Sequence, residues 1–417
     1  MLQTHNERQA IGAQTSRLPM RQGMLLAVLC LQVAWYAAIW FSGASHSPKA
    51  PWLAGAALAV TLLLLWEPNW LRAAIQRGQA HAAQRPLLWL VGLALLTACA
   101  GVWLAFNQRI WPFDEEGNLG ASRLLAERGL GAFFAQYPDL PWLGRQHPPL
   151  AILINGLVMW VFGPELAYIR LVTLAYTVAA VGLVFWLGQL LYDRLTGLVA
   201  ACFLVAFPLV LRVGTVAMTD VQVMTYALLT ICLVVKLERR PSWGLAALAG
   251  FVFGLGLLTK YTIILMAPVI VAYFFINRSF RRCFGHLFVI GAISAAMLAA
   301  WLGYAYTLGV FAAQQQLLSE LAGSVTQAES GASTFGAKLL LETLTTRLPS
   351  AFGVYSAPFL LLGLVQVLRL RLRQDWFLLA WAAIVGGLLL GAVPTLVLIP
   401  LLVVLLLLSA VKVWRHT

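Results

Sequence analysis

Charge is scarce in this chain: Asp, Glu, Lys and Arg make up 10% of the 417 residues, against 61% hydrophobic residues. Soluble domains carry about a quarter charged residues, so a water-soluble globular fold is excluded and lipid must be the solvent. Cysteine offers no scaffold either. Cys30, Cys99, Cys202 and Cys232 lie inside apolar runs and Cys283 in a basic loop, so no pair suggests a disulfide framework. Internal repeats and a glycine-rich phosphate loop following a strand are also missing.

What the chain has instead is a series of apolar runs long enough to cross a hydrocarbon core of about 30 Å at 1.5 Å per helical residue. Helices are required there, because an isolated strand would leave its backbone groups unsatisfied. The runs predict an all-α polytopic bundle of twelve spans, at 24–41, 52–66, 87–106, 168–191, 197–213, 219–236, 243–259, 261–277, 286–308, 351–368, 376–392 and 394–413. The first follows a polar stretch with Arg8, Arg17 and Arg21 and reads as an uncleaved signal anchor, the alternative being cleavage near Gly43-Ala44-Ser45. Pro149 to Gly163, 15 residues bounded by Pro-Pro and Gly-Pro, is too short to cross and suits an interfacial or re-entrant helix.

The net charge of +13 could point to nucleic acid, but its distribution explains it otherwise. With both termini cytoplasmic, the cytoplasmic segments hold 18 Lys and Arg against 5 Asp and Glu, and the outer segments 10 of each. That asymmetry is the positive-inside signature, and it calls for a plasma-membrane protein with no nucleic-acid partner. No cytoplasmic segment is long enough for a nucleotide-binding domain, and the span interiors hold almost none of the ionisable groups common in transporters and pumps. Gly250 and Gly254 form a small-xxx-small pair suited to helix packing. The chain divides into a tail with two spans (1–86), a catalytic-type module (87–308) containing the outer loop 107–148, a second outer loop (309–350) that could act as a lid, and the C-terminal spans (351–417).

The polar residues that remain collect on the outer side. The first outer loop opens Trp111-Pro112-Phe113-Asp114-Glu115-Glu116. Adjacent acids at a low-dielectric boundary repel, so one pKa should rise toward that of a general base, although such a run also suits a helix start. Leu119 to Tyr137 mixes charges with Leu and Phe, as an interfacial helix does. The loop ends Arg145-Gln146-His147-Pro148-Pro149-Leu150, where the prolines suit a helix first turn whose N–H groups, together with His147, would attract phosphate. Arg170, Arg212, Asp220 and Lys260 sit at outer span ends. Singly, snorkelling or N-capping explains each; together with Asp114 and His147 they describe a carboxylate base among cations, a site for transfer from a phosphate leaving group.

At these positions the sequence resembles the C-type glycosyltransferase superfamily, in the branch of protein O-mannosyltransferases and aminoarabinose lipid A transferases. The resemblance runs from about 87 to 308 through Asp114-Glu115, His147-Pro148-Pro149-Leu150, Arg170-Leu171-Val172, Met218-Thr219-Asp220 and Gly254-Leu255-Gly256-Leu257-Leu258-Thr259-Lys260. His before Pro-Pro is similar to the mannosyltransferases, whereas the aminoarabinose enzymes carry Lys there. The resemblance implies a C-type glycosyltransferase fold, Asp114 as catalytic base, Glu115 placing the acceptor, and His147 and Arg170 holding the lipid phosphate. Lys260 and Arg212 would add phosphate contacts, and Asp220 and Glu116 would serve the acceptor or a metal. The implied donor is a polyprenyl-phosphate sugar and the acceptor a hydroxyl on a lipid, glycan or protein, transferred with inversion. No cofactor is required, though a divalent cation could bridge Asp114 or Asp220. The rival reading from another class is a lipid-linked sugar flippase or transporter.

Overall fold

The computed structural model describes residues 50–66, 68–110, 114–140, 147–312 and 372–390, with isolated positions at 29, 30, 32, 33, 36 and 345. The first span, the second outer loop beyond 312 and the spans at 351–368 and 394–413 lie outside the described residues, apart from those isolated positions. Every regular element among the described residues is helical.

The helices are α1 (Ala50–Trp66), α2 (Asn69–Gln84), α3 (Pro86–Asn107), α4 (Asp114–Gln136), α5 (Leu150–Phe162), α6 (Leu166–Leu191), α7 (Arg194–Ala206), α8 (Pro208–Val213), α9 (Asp220–Arg239), α10 (Trp243–Leu257), α11 (Met266–Ile276), α12 (Phe280–Thr307) and α13 (Arg373–Leu390). Four of them, α3, α6, α9 and α12, are long and apolar enough to cross a membrane. The chain is a membrane protein, and its helices sort by what solvates them. Helix α9 is buried along most of its length, with Asp220 in its first turn and Lys236 and Arg239 in its last, each charge opposing the helix dipole. Helix α3 turns Leu87, Leu88, Leu95, Leu96, Trp103 and Phe106 outward, an apolar surface suited to lipid.

Two expected spans are interrupted. The run 197–213 breaks into α7 and α8 at Phe207, which is extended (φ −76°, ψ 123°) because Pro208 follows it and disfavours helical geometry in the residue before. The run 261–277 begins as a 3-10 turn over Tyr261–Leu265 before α11. Pro268, lacking an N–H and crowding the carbonyl four residues back, prevents a regular α-helix through that turn. Helix α2 was not expected: it is a polar stretch between two spans, too weakly apolar to register as one.

The stretch Pro149 to Gly163, expected not to cross, forms the short helix α5, whose 13 residues rise about 20 Å. It stops at Gly163, whose φ of +109° an L side chain rarely adopts. The segment expected as the first outer loop forms a helix, α4, with a break at Gly129 (φ 77°, ψ 176°).

One large core joins α6, α7, α9, α10 and α11 with Phe377, Leu378 and Trp381 of α13. A smaller one packs Ala121, Leu125, Phe133 and Tyr137 from α4 and the turn after it against Ile152 of α5 and Trp301 and Ala305 of α12. The glycine pair packs helices as expected. A Cβ on Gly250 would lie 2.8 Å from the Ile290 carbonyl oxygen, so the backbones of α10 and α12 meet closely there only because that position lacks a side chain; at Gly254 a Cβ would meet the flexible Met297 side chain.

Candidate active site

The site is assembled where α4 and α9 begin. Three carboxylates occupy the first turn of α4, where the helix dipole favours negative charge. Successive helical residues point about 100° apart, so the three cannot share an environment. Glu115 turns inward and is fully buried; Asp114 and Glu116 stay exposed.

Glu115 meets Arg170 of α6, itself 2% exposed, in a two-point ion pair: Nε donates to Oε1 and Nη2 to Oε2, both at 2.7 Å. Oε1 also accepts the Ala217 backbone N–H at 2.8 Å. Arg170 Nη1 donates to the carbonyls of Ala105 (3.0 Å) and Gln108 (2.8 Å), and Nη2 to that of Arg109 (3.0 Å). All five guanidinium N–H groups are thereby committed inside the protein. The sequence-based roles of these two residues do not fit this geometry: Arg170 has no donor left for a lipid phosphate, and Glu115 has no exposed surface with which to place an acceptor.

Asp114 faces a different neighbourhood, a small cleft lined by Asp114, Gly117, Asn118, His147, Met218, Thr219, Asp220 and Lys260. Lys260 Nζ lies 2.8 Å from Asp220 Oδ1, with both side chains partly exposed. The Asp114 carboxyl is pushed above the ordinary carboxylate range, first by burial and then by the charge of Asp220, with Lys260 opposing. A raised pKa was expected, but from Glu115 and Glu116. The carboxylate that acts on Asp114 is Asp220, while Glu115 is held in its ion pair with Arg170.

His147 reaches the cleft through a fixed backbone: its carbonyl accepts the buried Tyr137 hydroxyl at 2.5 Å. The Leu150 N–H at the start of α5 donates to the Leu258 carbonyl at 3.0 Å, which joins this segment to the turn carrying Lys260. That N–H is therefore committed within the protein.

Four of the anticipated residues, Asp114, His147, Asp220 and Lys260, are thus brought together from four separate segments. Arg212, exposed in the last turn of α8, and Glu116 do not line the cleft. Asn118 was overlooked; its Nδ2 donates to the Ala217 carbonyl at 2.7 Å. It lies one turn along α4 from Asp114, a spacing that could have singled it out. Trp111 to Phe113 and Arg145-Gln146 lie outside the described residues. A divalent cation at Asp220 would have to displace the ammonium of Lys260. Among the described residues no group of three or more His, Cys, Asp or Glu side chains is placed to hold a metal ion.

This arrangement can be set beside known proteins. Residues 146–304 match the family model described as dolichyl-phosphate-mannose-protein mannosyltransferase. The undecaprenyl phosphate-alpha-4-amino-4-deoxy-L-arabinose arabinosyl transferase of Yersinia pestis (strain Pestoides F) is 30% identical over 173 residues, 40% of this chain and 31% of that protein. The Yersinia enterocolitica counterpart is 28% identical over 174 residues, with the same coverage. The chain thus spans about a third of the length of these curated relatives.

Among solved structures, ArnT from Cupriavidus metallidurans bound to undecaprenyl phosphate superposes with a TM-score of 0.55 at 14% identity, covering 81% of this chain and 61% of that one. The Archaeoglobus fulgidus oligosaccharyltransferase tethered with an acceptor peptide gives 0.53 at 14% identity, covering 79% and 50%. The chain has the C-type glycosyltransferase fold. Both branches anticipated from the sequence are represented, the mannosyltransferases by the family model and the aminoarabinose transferases by the curated relatives. Asp114 and Glu115 precede the stretch matched by the family model, whereas His147, Arg170, Asp220 and Lys260 fall within it.

Proposed function

We propose that this protein is an integral membrane glycosyltransferase that moves a sugar from a polyprenyl phosphate to an acceptor hydroxyl with inversion at the anomeric carbon. The observation that carries the reading is the cleft itself, in which a carboxylate of raised pKa faces Lys260, Asp220 and His147. The printed activities of the Yersinia relatives support an undecaprenyl-phosphate-linked donor, and the ArnT structure bound to undecaprenyl phosphate supports a lipid phosphate as the leaving group. The charge asymmetry of the loops supports placing the cleft on the outer face, with both termini cytoplasmic.

In this reaction Asp114 takes the proton of the acceptor hydroxyl as its oxygen attacks the anomeric carbon. The bond from that carbon to the phosphate oxygen breaks on the opposite side, and the electron pair leaves with the lipid phosphate. Lys260 and His147 stabilise the departing anion, Lys260 exchanging Asp220 for phosphate as the donor arrives. Since a phosphate is already a good leaving group, no acid catalyst is required. The module 87–308 would carry the chemistry, and the loop 309–350, largely outside the described residues, would cover the acceptor.

Purified protein, a panel of polyprenyl-phosphate hexoses and pentoses, and a membrane extract as acceptor source test this directly. Transfer from one lipid donor with inverted configuration is expected, and no transfer from nucleotide sugars. Movement of the donor across the bilayer without transfer, or a product of retained configuration, would contradict the proposal.

A further inference from the structure

We propose that Glu115, Arg170 and Asn118 form a positioning clamp that sets the distance between the two cleft carboxylates, Asp114 and Asp220, without touching substrate. The inference rests on the reading of Asp114 as the base and adds what holds that base in place.

The two carboxylates come from distant parts of the chain, and only one short turn relates them. Asp114 immediately precedes Glu115, and Asp220 follows Ala217 by three residues. The Ala217 peptide is gripped on both sides by α4: its N–H by Glu115 at 2.8 Å and its carbonyl by Asn118 at 2.7 Å. Arg170 then fixes Glu115 while holding the last turn of α3 and the exit residues Gln108 and Arg109. A second tie joins the same segments, the Thr215 hydroxyl donating to Gln108 Oε1 at 2.9 Å. The clamp therefore links the end of α3, the start of α4 and the turn before α9.

Fold stability alone is a poor reason for such a pair. Two charges taken out of water cost about as much as their attraction returns, and well-packed apolar residues often serve stability as well or better. What an apolar replacement cannot supply is direction: a fork of five donors and a carboxylate with two fixed oxygens define an orientation. That orientation decides which charges Asp114 meets. Facing it in the cleft are Asp220 from α9, Lys260 from the turn after α10 and His147 from the segment before α5, with exposed Glu116 beside it on α4. If the turn drifts away, Asp114 loses Asp220 and gains water, and both changes favour its charged form.

The test uses the full-length protein in detergent with four variants: the double variant Glu115→Leu/Arg170→Met, Asn118→Ala, Thr215→Val and Asp114→Asn. Two quantities are read. One is transfer kinetics with the lipid donor; the other is the titration of the Asp114 carboxyl by infrared difference spectroscopy, its band identified by its absence in Asp114→Asn. In the folded double variant the account expects kcat to fall by about 10²-fold, the loss typical of a misplaced reacting group. Donor KM should stay within about threefold, and the Asp114 midpoint should move down toward the ordinary carboxylate range. Asn118→Ala and Thr215→Val, which leave the ion pair intact, should shift kcat and midpoint in the same directions by smaller amounts and decide the matter if the double variant does not fold. Unchanged kcat and midpoint in the folded variants would reduce the pair to a fold element and overturn the proposal. So would a raised donor KM with unchanged kcat, which would mean that the pair grips the donor. Should the wild-type protein transfer no sugar at all, the proposed reaction fails, and the infrared midpoint still decides the clamp.

Discussion

Lys260 and Asp220 act on Asp114 in opposite directions, which makes their individual removal informative. Lys260 lowers the Asp114 pKa, so Lys260→Ala should raise it further and move the acid limb of the kcat/KM profile to higher pH, because a base works only when deprotonated. Asp220 raises the same pKa, and Asp220→Asn should move the limb to lower pH. A pH–rate series on the two variants checks both signs, and limbs that stay in place would show that neither group acts on Asp114 through its charge. His147→Ala should instead raise donor KM, since its place in the cleft suits the phosphate and not the base.

These four residues were legible in the sequence because each sits at the end of an apolar run, where a charged or ionisable side chain stands out. The split between Asp114 and Glu115 was not legible. Two consecutive acids look alike in a string, and only the phase at which α4 starts turns one into the cleft and the other into Arg170.

At the scale of elements, the buried pair and the glycine contact carry separate predictions. Arg170→Ala removes the guanidinium from a buried carboxylate and takes the donor from the Ala105, Gln108 and Arg109 carbonyls, a loss of about 3–5 kcal/mol. Gly250→Val forces a side chain toward the Ile290 carbonyl between α10 and α12 and should cost about 1–3 kcal/mol. Thermal unfolding in detergent measures both, and a Gly250→Val protein as stable as wild type would deny the close approach.

The glycine spacing announced that contact because only small residues four apart let helices meet at such range. The breaks at Pro208 and before Pro268 were also written in the chain, as prolines inside runs taken for continuous spans. Helix α2 left no comparable mark, since the alternation of Arg, Gln and Ala between two spans reads as loop by hydropathy. Nor could hydropathy show the ties across the fold, such as Leu150 to Leu258.

For the whole molecule, the orientation in the membrane decides whether the cleft meets a lipid-linked sugar or a nucleotide sugar. Cys283 is buried in the first turn of α12 and is a poor reporter of sidedness. The neighbouring Arg281 is exposed. In a cysteine-free background, Arg281→Cys should resist a membrane-impermeant thiol reagent in intact cells and react once the membrane is opened. Labelling from outside would invert the topology and place the cleft on the cytoplasmic side.

The most direct measurement of the central claim is sugar transfer by Asp114→Asn. The substitution keeps the size of the side chain and removes its basicity, at an exposed position on the cleft. The account predicts a loss of about 10²-fold to 10⁴-fold in transfer from the polyprenyl-phosphate donor, with expression, detergent stability and donor binding close to wild type. Transfer at the wild-type rate by the Asn variant would contradict it.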